Sequence, residues 1–395
     1  MATGANAKRL RGLLSAATFA VVLATAGCGT FGKKREPVTV APQAGEAKPV
    51  TIASFLYDDV EPASATAPKP TNVFGEFGGQ ANAGANRTTA GDNGFQQHTF
   101  SDEGFDSDVA VDPAGKWLCF ASTRHSERPS LYLQRVNGQS VTQISGGLAD
   151  DAYPSFSPDG KTIAFCSNRT GSWQVYVMDI DGRNVVQVTN GVGQNIKPSF
   201  SPDGRRLVYC AIGGRSQQWE LWVANLESGE RRMIGYGLFP AWSPEKGVDR
   251  IAFQRARQRG SRWFSIWTLD LVDGEARRIT EVVASTNSAI VAPTWSPDGK
   301  KLAFATVVDP TQGKRGTQQD VWTINADGTN RQRLTDGSGV SVAPYWASDN
   351  RVYFVSNRGG TEAIWSSRTD ARQTMTAGLM DQPKTAVADT NEAGQ

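Results

Sequence analysis

Histidine is almost missing from these 395 residues, with only His98 and His125 present. That leaves little for imidazole general-base work or for His-rich metal binding. There is no G-x-S-x-G elbow, no H-E-x-x-H and no Gly-rich phosphate loop after a strand, so the usual nucleophile, zinc-protease and nucleotide signatures are lacking. Asp179-Ile180-Asp181-Gly182 lacks the full ligand spacing of an EF-hand. An excess of either charge is also lacking: 41 basic against 39 acidic residues gives +2, which argues against a chain that neutralises nucleic-acid phosphates. Cysteine is scarce, at four. Beyond Cys28, the odd set Cys119, Cys166 and Cys210 cannot all pair with one another, and contexts such as Leu118-Cys119-Phe120 read as buried thiols without metal-ligand spacing.

What is abundant is 41 glycines, 19 prolines and 11 tryptophans, a mixture suited to many short strands and tight turns. The first 27 residues read as an export signal. Lys8, Arg9 and Arg11 supply its positive start, and Leu13 to Ala26 its apolar run, too short to span a bilayer comfortably. Leu23-Ala24-Thr25-Ala26-Gly27-Cys28 resembles the bacterial lipobox, which implies lipidation at Cys28 and a membrane anchor. By the same resemblance Gly29, in place of a retention aspartate, implies the outer membrane and the periplasmic side of the envelope.

Residues 28–94 are rich in Ala, Gly, Pro and Thr and read as a flexible tether, with a reach of roughly 45 Å for a coil of that length. Residues 370–395 are polar, lack periodicity and read as a disordered tail.

Between them, 95–369 carries an internal repeat. Its turns are Asp112-Pro113-Ala114-Gly115, Ser157-Pro158-Asp159-Gly160, Ser201-Pro202-Asp203-Gly204, Ser243-Pro244-Glu245-Lys246, Ser296-Pro297-Asp298-Gly299 and Ala347-Ser348-Asp349-Asn350. After each turn comes an aromatic: Phe120, Phe165, Tyr209, Phe253, Phe304 and Phe354. Further on comes a second: Tyr132, Tyr176, Trp222, Trp267, Trp322 and Trp365. Units of roughly 45 residues, each a four-stranded meander, are the signature of propeller blades. The spacing therefore predicts an all-β, six-bladed propeller of antiparallel four-stranded blades. Phe95 to Gly104 resembles a fourth-strand segment and could complete the sixth blade, with Arg372 to Thr376 as a competitor.

Tyr153-Pro154-Ser155-Phe156-Ser157-Pro158-Asp159-Gly160-Lys161, followed by Ile163-Ala164-Phe165 and Ser167-Asn168-Arg169, resembles the repeat of the TolB family. TolB proper carries a folded α/β domain before its propeller, and here the tether stands in that place. The resemblance implies a protein-binding scaffold in the cell envelope with a Tol-Pal-like role in integrity or translocation. A peptidoglycan-associated lipoprotein is the implied kind of partner.

Side chains near the start of each first strand should line the channel mouth: Asp108, Tyr153, Lys197, Phe239, Ala292 and Ala343. The long-loop face is rich in arginine, including Arg124, Arg128, Arg169, Arg215 and Arg358, and peaks at Arg255, Arg257, Arg259, Arg262 and Trp263. With Trp173 and Trp219 these offer planar donors and rings to an acidic protein segment. The acidic residues of the tight turns read as turn chemistry. The expectation is a monomeric binding module without catalytic residues, metal or cofactor, and without affinity for nucleic acid. A polysaccharide- or peptide-processing hydrolase or lyase, and a carbohydrate-binding propeller using Trp173, Trp219 and Trp263, are the alternatives.

Overall fold

The computed structural model describes residues 94–101, 104–191, 193–214, 216–256, 264–286, 288–308 and 319–369. Their strands form six four-stranded antiparallel sheets. The segment β1 (Phe95–Gln97) precedes the first blade, which comprises β2 (Asp106–Val111), β3 (Trp117–Ser122), β4 (Ser130–Arg135) and β5 (Val141–Gln143). Blade 2 is β6 (Asp151–Phe156), β7 (Thr162–Ser167), β8 (Gln174–Asp179) and β9 (Val186–Gln187). Blade 3 is β10 (Asn195–Phe200), β11 (Arg206–Ile212), β12 (Trp219–Asn225) and β13 (Arg231–Tyr236). Blade 4 is β14 (Leu238–Trp242), β15 (Arg250–Ala256), β16 (Phe264–Val272) and β17 (Glu275–Val283). Blade 5 is β18 (Ser288–Trp295), β19 (Lys301–Val308), β20 (Gln319–Asn325) and β21 (Gln332–Arg333). Blade 6 is β22 (Ser341–Trp346), β23 (Arg351–Ser356) and β24 (Ala363–Arg368), completed by β1 in the order β1-β24-β23-β22.

The inner strands β2, β6, β10, β14, β18 and β22 pack in that order, and β22 returns to β2. This closes the ring, with β1 as the fourth strand of blade 6 in register Phe95↔Ser367 and Gln97↔Trp365. The competing segment from Arg372 to Thr376 lies outside the described residues.

Repeated aromatics occupy the blade interfaces because radial stacking removes both faces of a sheet from water. Phe120, Phe165, Phe304 and Phe354 are fully buried, and each pairs across the strands with the second aromatic of its own blade, as Phe165 does with Tyr176. The tight turns owe their form to local chemistry. Ser157 Oγ donates to Asp159 Oδ1 at 2.6 Å and accepts from the Thr162 amide, while Gly160 supplies φ +71°. The same Ser–Asp bond recurs at Ser296 and Asp298, and in both turns it holds the carboxyl below its usual range.

Candidate functional site

Every inner strand contains the same irregularity. In β2, β6, β10, β14, β18 and β22 two residues face a single aromatic on the second strand, so that Tyr153 and Pro154 together oppose Phe165. The first residue of each bulge is left-handed: Asp108 (φ 51°), Tyr153 (56°), Lys197 (58°), Phe239 (51°), Ala292 (53°) and Ala343 (50°). These are the six positions expected at the channel mouth. A non-glycine residue in this conformation costs on the order of 1–3 kcal/mol and persists only where its surroundings over-determine it.

The surroundings are visible between blades. Cys166 of blade 2 accepts the Lys197 amide of blade 3 at 3.3 Å. Cys210 of blade 3 accepts the Phe239 amide of blade 4 and donates to the Ile196 carbonyl at 3.4 Å. Gln254 of blade 4 accepts the Ala292 amide of blade 5 at 2.9 Å. Each acceptor directly follows the second-strand aromatic. Blade 1 has Ala121 there, and the Asp108 carboxylate accepts the Tyr153 amide instead. So blades 1 to 4 each hold the bulge residue of the next, and two of the three described cysteines are employed in this way. All three are buried and free, and burial pushes the Cys210 thiol up to about 12.

The ring is uneven in content. Tyr153 lies 6.4 Å from both Trp173 and Phe239, ring centre to ring centre, and Lys197 Nζ sits 5.2 Å over the Tyr153 ring. Asp108 is buried and its carboxyl is raised by desolvation, which the Lys197 ammonium opposes. Blades 5 and 6 contribute only Ala292 and Ala343. The six bulge positions thus comprise an aromatic and cationic arc across blades 2 to 4 and a small-residue arc in blades 5 and 6.

The arginines fall into different settings. Arg169 lies 3.2 Å from Asp151, bonds Ser167 and stacks over Phe165 and Tyr176. Arg124 repeats this with Asp106, Ser122, Phe120 and Tyr132, and Arg358 with Asp336, Ser356, Phe95 and Phe354. These guanidiniums pin second and third strands together. Arg255 is half-buried over Trp267, while Arg215, Arg257, Arg259, Arg262 and Trp263, like Cys28, lie outside the described residues. Trp173 is buried against Tyr153 and Trp219 is half-buried, so they do not form one exposed platform.

Both histidines are engaged. His98 reaches the Val136 carbonyl through Nδ1 and Ser366 Oγ through Nε2, at 3.2 and 2.8 Å. Burial lowers its pKa to about 4, so the ring is neutral. His125 Nδ1 lies 3.2 Å from the Tyr132 hydroxyl. Among the described residues no three His, Cys, Asp or Glu side chains converge as metal ligands.

Known proteins share this architecture. Residues 92–245 and 237–390 match the TolB beta propeller domain family. The chain is 34% identical over 85 residues to the Tol-Pal system protein TolB of Alcanivorax borkumensis, covering 22% of this chain and 18% of that protein. It is 32% identical over 84 residues to dipeptidyl-peptidase 5 of Porphyromonas gingivalis, covering 21% and 12%. The matches therefore span less than a fifth of these curated relatives. A TolB-type structure from Agrobacterium tumefaciens superposes with a TM-score of 0.50 at 22% identity, over 67% of this chain and 90% of that one, which speaks for the fold alone. Since the family match extends over most of the sequence and agrees with the six observed blades, the chain belongs to the TolB β-propeller domain family.

Proposed function

We propose that this protein is an exported, lipid-anchored scaffold that docks an envelope protein at the channel mouth, in a Tol-Pal-like role on the periplasmic side of the envelope. The observation that carries the reading is the ring of six left-handed residues, each held in a strained conformation and together uneven in charge and ring content. Backbone strain retained at six equivalent positions fits a preorganised recognition surface, since rigid display lowers the ordering cost of binding. Lys197 supplies the accessible anchor, set over the buried Tyr153 ring with Phe239 beside it, and the Asp108 carboxylate accepts the Tyr153 amide. Arg255, followed in the sequence by Arg257, Arg259 and Arg262, supplies positive charge for an acidic segment. Export rests on the N-terminal signal and anchoring on Cys28. Binding is favoured over catalysis because both histidines are occupied in hydrogen bonds.

A peptidoglycan-associated lipoprotein from the same cell is the partner to try first. Titration calorimetry of the full chain against it should give saturable binding, weakened about thirtyfold or more by Phe239→Ala or Lys197→Glu, the scale of an interface anchor. Unchanged affinity in both variants would remove the mouth from recognition.

A further inference from the structure

The outer strands differ in how they present their free edges. Those of blades 3, 4 and 5 carry charge: Arg231 and Arg232 in β13, Glu275, Arg277 and Arg278 in β17, Arg333 in β21. Charges on an edge strand deter pairing with another chain. β9 of blade 2, like β5 of blade 1 and β1 of blade 6, carries none, and Val185-Val186-Gln187-Val188-Thr189 around β9 is uncharged throughout. Val185 and Val186 are 42% and 57% exposed, adjacent apolar side chains left open to solvent on this outer strand. The Val188 amide donates to the Val175 carbonyl of β8, so by antiparallel alternation the amide and carbonyl of Gln187 point away from the sheet.

Alongside β9 runs a groove of about 400 Å³ between blades 2 and 3. Val177, Val186, Val188, Phe200 and Leu226 make it apolar, and Asp159 stands at the tight-turn end. The Asp159 carboxyl is held below its usual range by Ser157 and the Lys161 amide, so it is anionic at neutral pH. Val185 borders a second hollow on the other side of the strand, with Gln143, Ile144 and Gly182. An added strand would therefore find backbone partners at Gln187 and an apolar wall for alternate side chains.

We infer that β9 and its groove form a strand-addition site for an extended partner segment in which apolar side chains alternate and a basic residue reaches Asp159. The charge at the groove's end selects the basic terminus, and the uncharged edge admits the strand. This surface is separate from the channel mouth and goes beyond the function proposed above, so either can fail without the other.

The probe is a fluorescently labelled peptide of alternating threonine and valine ending in arginine, titrated into the full chain by anisotropy, beside the same peptide ending in glutamate. The arginine peptide should bind saturably and about tenfold more tightly than the glutamate one, with slowed hydrogen exchange at the Gln187 amide. Val186→Lys, on an exposed side chain, should abolish binding, and Asp159→Asn should equalise the two peptides. Lys197→Glu at the mouth should change neither. Equal binding of the two peptides to the unmodified chain, full binding by Val186→Lys, or occupation of β9 by a second copy with no peptide bound would each overturn the inference.

Discussion

The seam between blades 6 and 1 and the seams between blades 2, 3, 4 and 5 solve the same packing problem in different ways. In the latter, the chain passes directly from one blade to the next, and single side chains from Cys166, Cys210 and Gln254 fix the neighbouring bulge residue. At the closing seam the chain ends must meet, and β1 supplies only three strand residues. The deficit is made up by buried polar contacts: His98 with Val136 and Ser366, Thr99 Oγ1 accepting the Ile364 amide, and Arg358 stacked 3.7 Å over Phe95. Closure thus depends on a polar latch, whereas the aromatic arc proposed for recognition lies elsewhere in the ring.

Breaking the latch should have the largest effect. Phe95 is 7% exposed within a cluster containing Val321, Trp346 and Phe354, and Phe95→Ala should lower stability by about 3–5 kcal/mol as a large-to-small core change. A clear fall in the urea midpoint checks this, and a fall no greater than that of an exposed control such as Val272→Ala would refute it.

The latch should also be pH-sensitive, with a definite sign. His98 is neutral in the fold with a pKa of about 4, whereas in the unfolded chain it takes up a proton near its ordinary 6.5. Its contribution is therefore intact above about pH 6.5 and is lost as pH falls toward 4, on the order of 3 kcal/mol over that window. Comparing pH–stability curves of the unmodified chain and His98→Gln isolates it, since the variant should be flatter there. Parallel curves would show that His98 does not titrate as described.

Glu362 lies at the same seam, its carbonyl accepting the Asp106 amide, and burial raises its carboxyl to about 7. Such a group stabilises below its ordinary pKa of 4.5 and loses that contribution as pH rises through 7. Glu362→Gln should accordingly raise the melting temperature by a few degrees at pH 8 and little at pH 4.5. An equal shift at both values would point to packing rather than charge.

The smallest effect belongs to the arc. Cys166→Ala removes the acceptor of the Lys197 amide and should cost about 1–3 kcal/mol, with Cys166→Ser recovering part of it through an oxygen acceptor. Loss of the same size in both variants would mean that sulfur volume, not the hydrogen bond, holds the bulge.

Much of this was legible in the sequence for physical reasons. The turn and aromatic columns recur because every blade must bury the same faces, and the Phe95 segment is recognisable as a fourth strand because it answers the same sheet edge. Even the left-handed mouth had a signal: Pro154, Pro198, Pro240, Pro293 and Pro344 each follow a mouth residue inside a strand, where a missing amide marks a bulge. What escaped depends on contacts across blades. The Cys166–Lys197 bond joins residues 31 apart, and nothing local distinguishes that thiol from Cys119. Likewise, residue type alone does not tell an arginine free to bind from one spent on Asp151 and two rings, as Arg169 is.

The contrast between the two arcs can be tested by placing a photo-crosslinking amino acid at Phe239 in one strain and at Ala343 in another, on the same ring with the same backbone geometry. Capture of a peptidoglycan-associated lipoprotein in intact cells should be strong from position 239 and weak from 343. Equal capture from both, or capture from neither while an outer-blade position captures it, would contradict recognition by the aromatic arc.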